Sequence, residues 1–442
     1  MIVIENAYVA PVVGAEIPDG HVAIEGNRIV SVGAGPYPGA GERVDGRGRL
    51  VTPGLVNTHH HLYQWASQGL APDGTLFEWL VASYPVWARM DAEVVHGAAT
   101  AGLAWLALSG CTTTTDHHYV FPKGRGDLFA AEIQAAAEVG LRFHPCRGSM
   151  DRGRSQGGLP PDEVVETLDE ILAETEAAVR KYHDPLFDSM VRVAVAPCSP
   201  FSVSGDLMRQ AAALARDLKV RLHTHGAETL DEDDHCKEQF GMLPVEYLES
   251  LGWLGPDVWI AHSVHLTDAD IARFAETGTG TAHCPSSNGR LGAGIARVSE
   301  LLRAGATVGL GVDGPGSAEF IPLAGEIRQA MLMQRARYGP QALTARQALE
   351  IATIGGARCL GRETEIGSLE PGKLADVAVW RVDGPYAAAA DPIVALGYGQ
   401  TPPLARLIVN GVTVVEDGEL RTVSGEAAGA AGARAHARLL RS

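Results

Sequence analysis

The sequence is short of positive charge: lysine and arginine total 36 against 53 aspartates and glutamates, a net −17. Such a field repels phosphate backbones and argues against a nucleic-acid partner, while it suits a neutral or cationic small molecule. Also missing is any apolar run near the roughly 20 residues that a membrane helix needs. The opening stretch, MIVIENAYVAPVVGAEIPDG, lacks the basic-then-apolar order of a signal peptide. No membrane partner and a cytoplasmic location are therefore expected. Paired cysteines are absent too. The six cysteines (Cys111, Cys146, Cys198, Cys236, Cys284, Cys359) are scattered with no CxxC spacing, so no disulfide framework is expected and they read as small buried hydrophobes in a reducing compartment.

What remains is an ordinary globular composition, 46% hydrophobic and 20% charged, over 442 residues. That length admits two or three domains, or one large barrel with an appendage. The first fifty residues read as short strands, MIVIENAYVA, HVAIEGNRIVSVG and GRLVTPG, separated by Gly-rich turns. From Leu55 the pattern changes to eight β-branched runs: LVNTHHH, CTTTTDHH, RFHPCRG, VRVAVAPCS, VRLHTHGAE, VWIAHSVH, GTGTAHCPSS and TVGLGVDG. Amphipathic stretches such as GDLMRQAAALARDLK fall between them. Eight strands alternating with helices predict an α/β fold, a (β/α)8 TIM-type barrel. TARQALEIATIGGARCLG, opening on a capping box of Thr344 and Gln347, should be the closing helix. The chain then returns to strands, IGSLEPGKLADVAVW and PLARLIVNGVTVVEDGEL. The expected organisation is a small β-sandwich built from both chain ends (1–53 and 362–442) beside a barrel spanning 54–361, with the Ala- and Gly-rich tail as a frayed helix.

In such a barrel the active site lies at the C-terminal strand ends, so the polar residues that end each run carry the information. Side chains alternate along a strand, so His59 and His61 point one way and His60 the other. Two converging imidazoles make a metal clamp. The fifth run adds His225 and then Glu228, the sixth His262, the eighth Asp313. Zinc and its borderline relatives want three or four N and O donors with one position open for water, and His59, His61, His225 and Asp313 supply such a set from three strands. Any one of these histidines alone would read as a core residue, but packed histidines have no reason to gather at one rim. Glu228 is then free to move protons, and His262 to polarise an oxyanion or orient water.

PGLVNTHHHL, HTHGAET, AHSVHL, HCPSSNGRLGAGIA, LGVDG and SLEPGKLADVAVW together resemble the amidohydrolase superfamily, in its branch of mononuclear zinc aminohydrolases acting on amino-substituted nitrogen heterocycles. The likeness covers essentially the whole chain. HHHLYQ, LFEWLVASYPVWARM, GCTTTTDHHYVFP and RFHPCRGSMDRGRSQGGLPPD are most similar to 8-oxoguanine deaminases, with s-triazine hydrolases next. The resemblance implies His59, His61, His225 and Asp313 as ligands of one zinc ion per chain, with Fe2+ or Mn2+ as substitutes. Binuclear relatives often bridge their metals with a modified lysine ending the fourth strand, and VRVAVAPCSPFS has none. It implies a mechanism in which Glu228 protonates a ring nitrogen, hydroxide attacks the amine-bearing carbon, Asp313 accepts the water proton, His262 steadies the oxygen and ammonia leaves. It also implies a homo-oligomer and a heterocyclic small-molecule substrate, purine-like in the first instance, with triazine or pterin hydrolysis as the alternative and a non-catalytic metal-binding barrel as a remote one.

Four further residues are expected at the substrate. Gln64 follows the clamp and could hydrogen-bond it; Trp65 either stacks on it or packs the barrel; His117 ends the second run; Arg147 either holds a substrate carbonyl or pairs with a carboxylate. His223, His265 and His60 read as supports, and His283 as a weaker substrate candidate. The chain departs from the family's pattern after LGVD, where GPGSAEF puts Ala318 in place of an expected Asn and Glu319 in place of an Asp, and at Gly289, where Met is expected. These changes bear on the pocket wall.

Overall fold

The computed structural model describes residues 1–319, 322–384 and 391–441; Phe320 of the GPGSAEF stretch lies outside them. The eight expected runs form a closed parallel barrel. Its strands are β1 Leu55–Asn57, β2 Cys111–His118, β3 Arg142–Ser149, β4 Ala194–Pro197, β5 Leu222–Gly226, β6 Val258–His262, β7 Gly280–His283 and β8 Thr307–Leu310. Every residue of β1 to β7 is buried, as parallel strands covered by helices require. No described helix is long and apolar enough to cross a membrane.

The two chain ends meet in one mixed sheet of nine strands. At its centre Val377–Arg381, from the C-terminal part, lies antiparallel to Arg49–Pro53, from the N-terminal part, in the register Val377↔Pro53 to Arg381↔Arg49. Ile4, Val22, Ile24, Val51, Val377 and Ile408 form its own apolar cluster. Gly54 carries the chain from this sheet into β1. A Cβ there would stand 2.1 Å from the Thr112 side chain, so the crossing from sheet to barrel requires glycine. A second tie is Arg142 at the start of β3, whose Nε and Nη2 each donate to Asp376 over 3.0 Å. Both side chains are fully buried, and such a bidentate pair holds only while both partners stay.

The closing helix begins as expected at the Thr344 capping box. It passes through a π turn at Ile351–Gly355 before Gly356–Cys359. A Cβ on Gly355 would meet the Val308 carbonyl at 2.2 Å, so the double glycine lets the helix lie directly on the barrel. The tail differs from the expected frayed helix. Gly425–Arg441 is a 17-residue helix packed on the barrel helix Ala92–Leu108. The reason is close approach: a Cβ on Gly432 would fall 2.7 Å from Ala101 and 2.8 Å from the Trp65 indole nitrogen, so the glycines that lower helix propensity also allow the two helices to touch.

Candidate metal centre and its cavity

The β1 clamp is built by extending the barrel pairing past the strand ends. The Thr58 amide donates to the Leu310 carbonyl, and the Asp313 amide to the His59 carbonyl over 3.1 Å, so the ligand-bearing residues after β1 and β8 are held side by side. His59, His61, His225 and Asp313 are all buried. His59 Nε2 and His61 Nε2 each stand 3.4 Å from Asp313 Oδ1, and His61 Nε2 stands 3.1 Å from His225 Nε2.

The protonation of each ring follows from its far nitrogen. His61 Nδ1 donates to the His117 carbonyl over 2.7 Å and His225 Nδ1 to the Cys198 carbonyl over 2.8 Å. Their Nε2 atoms are therefore bare lone pairs facing each other. His59 is set by a relay: His223 Nδ1 donates to the Trp259 carbonyl, and His223 Nε2 accepts from His59 Nδ1, each over 2.8 Å. His59 Nε2 is left bare, buried and without a hydrogen-bond partner. Burial holds all three imidazoles below their ordinary range, His61 at about 4, so they are neutral and able to ligate. Asp313 Oδ2 accepts from Ser287 and Ser317 hydroxyls at 2.5 and 2.9 Å, and Oδ1 from the Gly314 amide at 2.7 Å. Three converging lone pairs and a carboxylate oxygen, with no donor among them, repel one another unless a cation lies between. This donor set fits a divalent metal such as zinc, and each ligand has the backing hydrogen bond that such sites use.

Beside it stand Glu228 and His262, with His262 Nε2 3.6 Å from Glu228 Oε1. Burial pushes Glu228 up to about 7. Burial opposes the charged form of His262, but the Glu228 and Asp313 carboxylates more than offset it and raise its pKa. His262 Nδ1 is fixed by Asn288 Oδ1 at 3.0 Å. The turn that carries Glu228 is clamped by Glu232, whose carboxylate accepts from the amides of Ala227 and Glu228 at 3.0 and 2.9 Å. His262 and Asp313 both adopt positive φ, +70° and +62°, a conformation that side-chain-bearing residues rarely take and that concentrates at functional sites.

The cavity over this cluster is lined by His61, Gln64, Glu228, His262, Asp313 and Ser317 on its polar side. Leu76, Trp79, Leu80, Tyr84, Tyr119, Phe201 and Leu291 line the other. Its lining combines several aromatic and aliphatic side chains with a few polar groups, the usual make-up of a small-molecule site. Of the four residues expected at the substrate, only Gln64 lines it. Trp65 instead faces the terminal helix at Gly432. His117 lies beneath the cavity, stacked on the His225 ring at 4.8 Å, with its Nε2 on the Ala196 carbonyl at 2.8 Å. Arg147 is paired with Glu166 at 2.7 Å and lies 3.7 Å over the Phe121 ring, facing a different, outer cavity. Trp79 and Tyr84, from helix Leu76–Trp87, and the supports Ser287, Asn288 and Glu232 were not singled out from the sequence. Serines, an asparagine and an acid within the charged run DEDD carry no signal of burial on their own.

The amidohydrolase family model matches residues 50–414. The chain is 45% identical to an 8-oxoguanine deaminase of Pseudomonas aeruginosa, over 90% of each chain. It is 38% identical to an isoxanthopterin deaminase from an unknown prokaryotic organism, over 93% of this chain and 91% of that one. A crystal structure of atrazine chlorohydrolase from Arthrobacter aurescens TC1 complexed with zinc superposes with a TM-score of 0.93 at 34% identity, covering 99% of this chain and 100% of that one.

Proposed function

The chain belongs to the amidohydrolase family, and on that premise we propose that it is a zinc-dependent hydrolytic deaminase of an amino-substituted nitrogen heterocycle, with an 8-oxopurine of the 8-oxoguanine type as the first substrate to test. The observation that carries this reading is the convergence of three bare imidazole nitrogens and Asp313 beside a protonatable Glu228, in a cavity also lined by Trp79, Tyr84 and Phe201. The likeness to the Pseudomonas aeruginosa deaminase supports the purine-type ring.

His59, His61, His225 and Asp313 would hold the metal. When bound, it would supply Lewis acidity, bringing the pKa of water down to about 7. The chain's own residues do the rest. Glu228, with a pKa near that of neutral water chemistry, carries a proton to a ring nitrogen and so makes the amine-bearing carbon electrophilic. His262, fixed by Asn288, presents a charged N–H to the oxygen that develops at that carbon. Asp313, its other oxygen anchored by two serines, takes one proton from water and passes it to the departing amine, while the remaining hydroxyl proton of the adduct goes back to Glu228 as the C=O forms, the C–N bond breaks and ammonia leaves. Trp79, Tyr84 and Phe201 hold the ring and exclude bulk water.

The test is ammonia release by the zinc-loaded protein over 8-oxoguanine, guanine, isoxanthopterin, pterin, cytosine, adenosine, melamine and a chlorotriazine. Strong release from 8-oxoguanine is the expected result. Release only from a pterin moves the substrate and keeps the reaction class. Chloride or alkylamine release without ammonia, in line with the likeness to the triazine hydrolase, overturns deamination.

A further inference from the structure

A second group of ligand-type side chains lies behind the clamp, away from the cavity. Asp116 and His118 come from the outward-facing positions that end β2, and Glu132 from the helix Leu128–Val139, which packs on the neighbouring strand β3 and on the helix Ala92–Leu108. All three are 0% exposed, and one ligand atom from each lies within 4.8 Å of the others.

The construction repeats that of the first centre. His118 Nε2 donates to the Val120 carbonyl at 3.0 Å, as His61 and His225 donate to carbonyls, so Nδ1 is the bare nitrogen. It stands 3.4 Å from Glu132 Oε2, yet makes no hydrogen bond. Asp116 Oδ1 accepts from the Leu62 amide, leaving Oδ2 and both oxygens of Glu132 buried with no donor supplied by another described residue, the two acids facing only each other and His118. Zinc with donors about 2.0–2.1 Å away in a tetrahedron sets neighbouring donors about 3.3–3.4 Å apart. The His118–Glu132 separation has that length, as do the His59–Asp313 and His61–Asp313 separations of 3.4 Å in the first centre.

We propose that Asp116, His118 and Glu132 form a second, closed site for a divalent transition-metal cation of the zinc class, structural in role and separate from the single metal at the cavity. His118 Nδ1, Asp116 Oδ2 and a bidentate Glu132 supply four donor atoms. Two carboxylates, a neutral imidazole and a divalent ion sum to zero charge, which suits a dry interior. Without a cation the two acids have to take up protons instead: burial pushes Glu132 up to about 8 and Asp116 well above the usual carboxyl range. The ion ties the helix through Asp116 to the Leu62 amide, the residue directly after the clamp ligand His61.

Two measurements on the full-length protein decide it. Metal-free protein reloaded with excess zinc and desalted should carry two zinc ions per chain by elemental analysis, falling to one in Glu132→Gln and in Asp116→Asn. One per chain in the wild type, or an unchanged count in Glu132→Gln, overturns the site. Anomalous diffraction at the zinc edge from wild-type crystals needs no variant to fold. A peak among Asp116, His118 and Glu132 is expected; its absence means that the acids hold protons there and overturns the proposal, whatever density the first centre shows.

Discussion

Replacing Gly314 by alanine isolates the part that Gln64 plays. Gly314 has φ −77° and ψ 145°, a backbone any residue adopts, so the substitution carries no conformational penalty. Its effect is steric. The new Cβ would lie 1.9 Å from Gln64 Oε1 and 2.4 Å from Cδ. Restoring an ordinary contact of about 3.5 Å displaces the amide by roughly 1.5 Å. Gln64 can yield, because its buried amide is held by packing and at most a weak interaction with the Tyr63 hydroxyl. An amide held ready in this way has its donor and acceptor available to the edge of a heterocycle. Losing two neutral hydrogen bonds, about 0.5–1.5 kcal/mol each, lowers kcat/KM by roughly 5- to 150-fold. The assay is ammonia release against substrate concentration, with zinc content and circular dichroism measured on the same preparations and expected to match the wild type. Gln64→Ala should show a similar loss, and the double variant should be no worse than Gln64→Ala, since both changes remove one interaction. A Gly314→Ala enzyme with wild-type kcat/KM would refute the placing of Gln64 at the substrate.

Glu228→Gln keeps the shape of the site and removes the proton, so ammonia release should fall about 10²- to 10⁴-fold with zinc content intact; turnover within a few-fold of wild type rules out proton transfer by this residue. His223→Ala removes the acceptor that fixes the His59 tautomer and should weaken zinc binding about 10- to 100-fold in a competition titration with a chelating dye; unchanged affinity would show that the relay does not orient the ligand. Gly432→Leu drives a side chain into Ala101 and Trp65. Amide exchange over residues 425–441 should then speed up while ammonia release persists, and full protection would mean that the glycine contact does not seat the helix.

The barrel, and the meeting of the candidate metal donors, were legible because both are properties of strand ends. Eight runs of β-branched residues announce the strands, and parallel pairing forces the residues that end them to one rim, where His59, His61, His225 and Asp313 meet. The reading weakened where the chain leaves the strands. Period-two alternation holds through β2, so His117 faces the ligands and His118 faces outward to Glu132. It fails directly after the clamp, because Leu62–Ser67 is a 3-10 turn. In that turn Gln64 and the neighbouring Trp65 diverge, one into the cavity and the other toward Gly432. The indole in the cavity is Trp79, from a helix whose tertiary placement no local pattern reveals.

The altered loop GPGSAEF is clearer in three dimensions than in sequence. Ser317 holds Asp313 Oδ2, so the departure from the family pattern leaves this candidate metal ligand anchored. Its glycines carry the consequence for the cavity. A Cβ on Gly316 would stand 3.0 Å from Gln64 Oε1 and 3.0 Å from the Trp79 ring, and one on Gly314 would meet the same Gln64 amide. The loop therefore limits where Gln64 and Trp79 can sit, and among its described residues Ser317 is the one that lines the cavity. Added bulk at Gly314 or Gly316 would therefore displace Gln64 and Trp79, two of the side chains that line the cavity, and leave the Asp313 anchor from Ser317 in place.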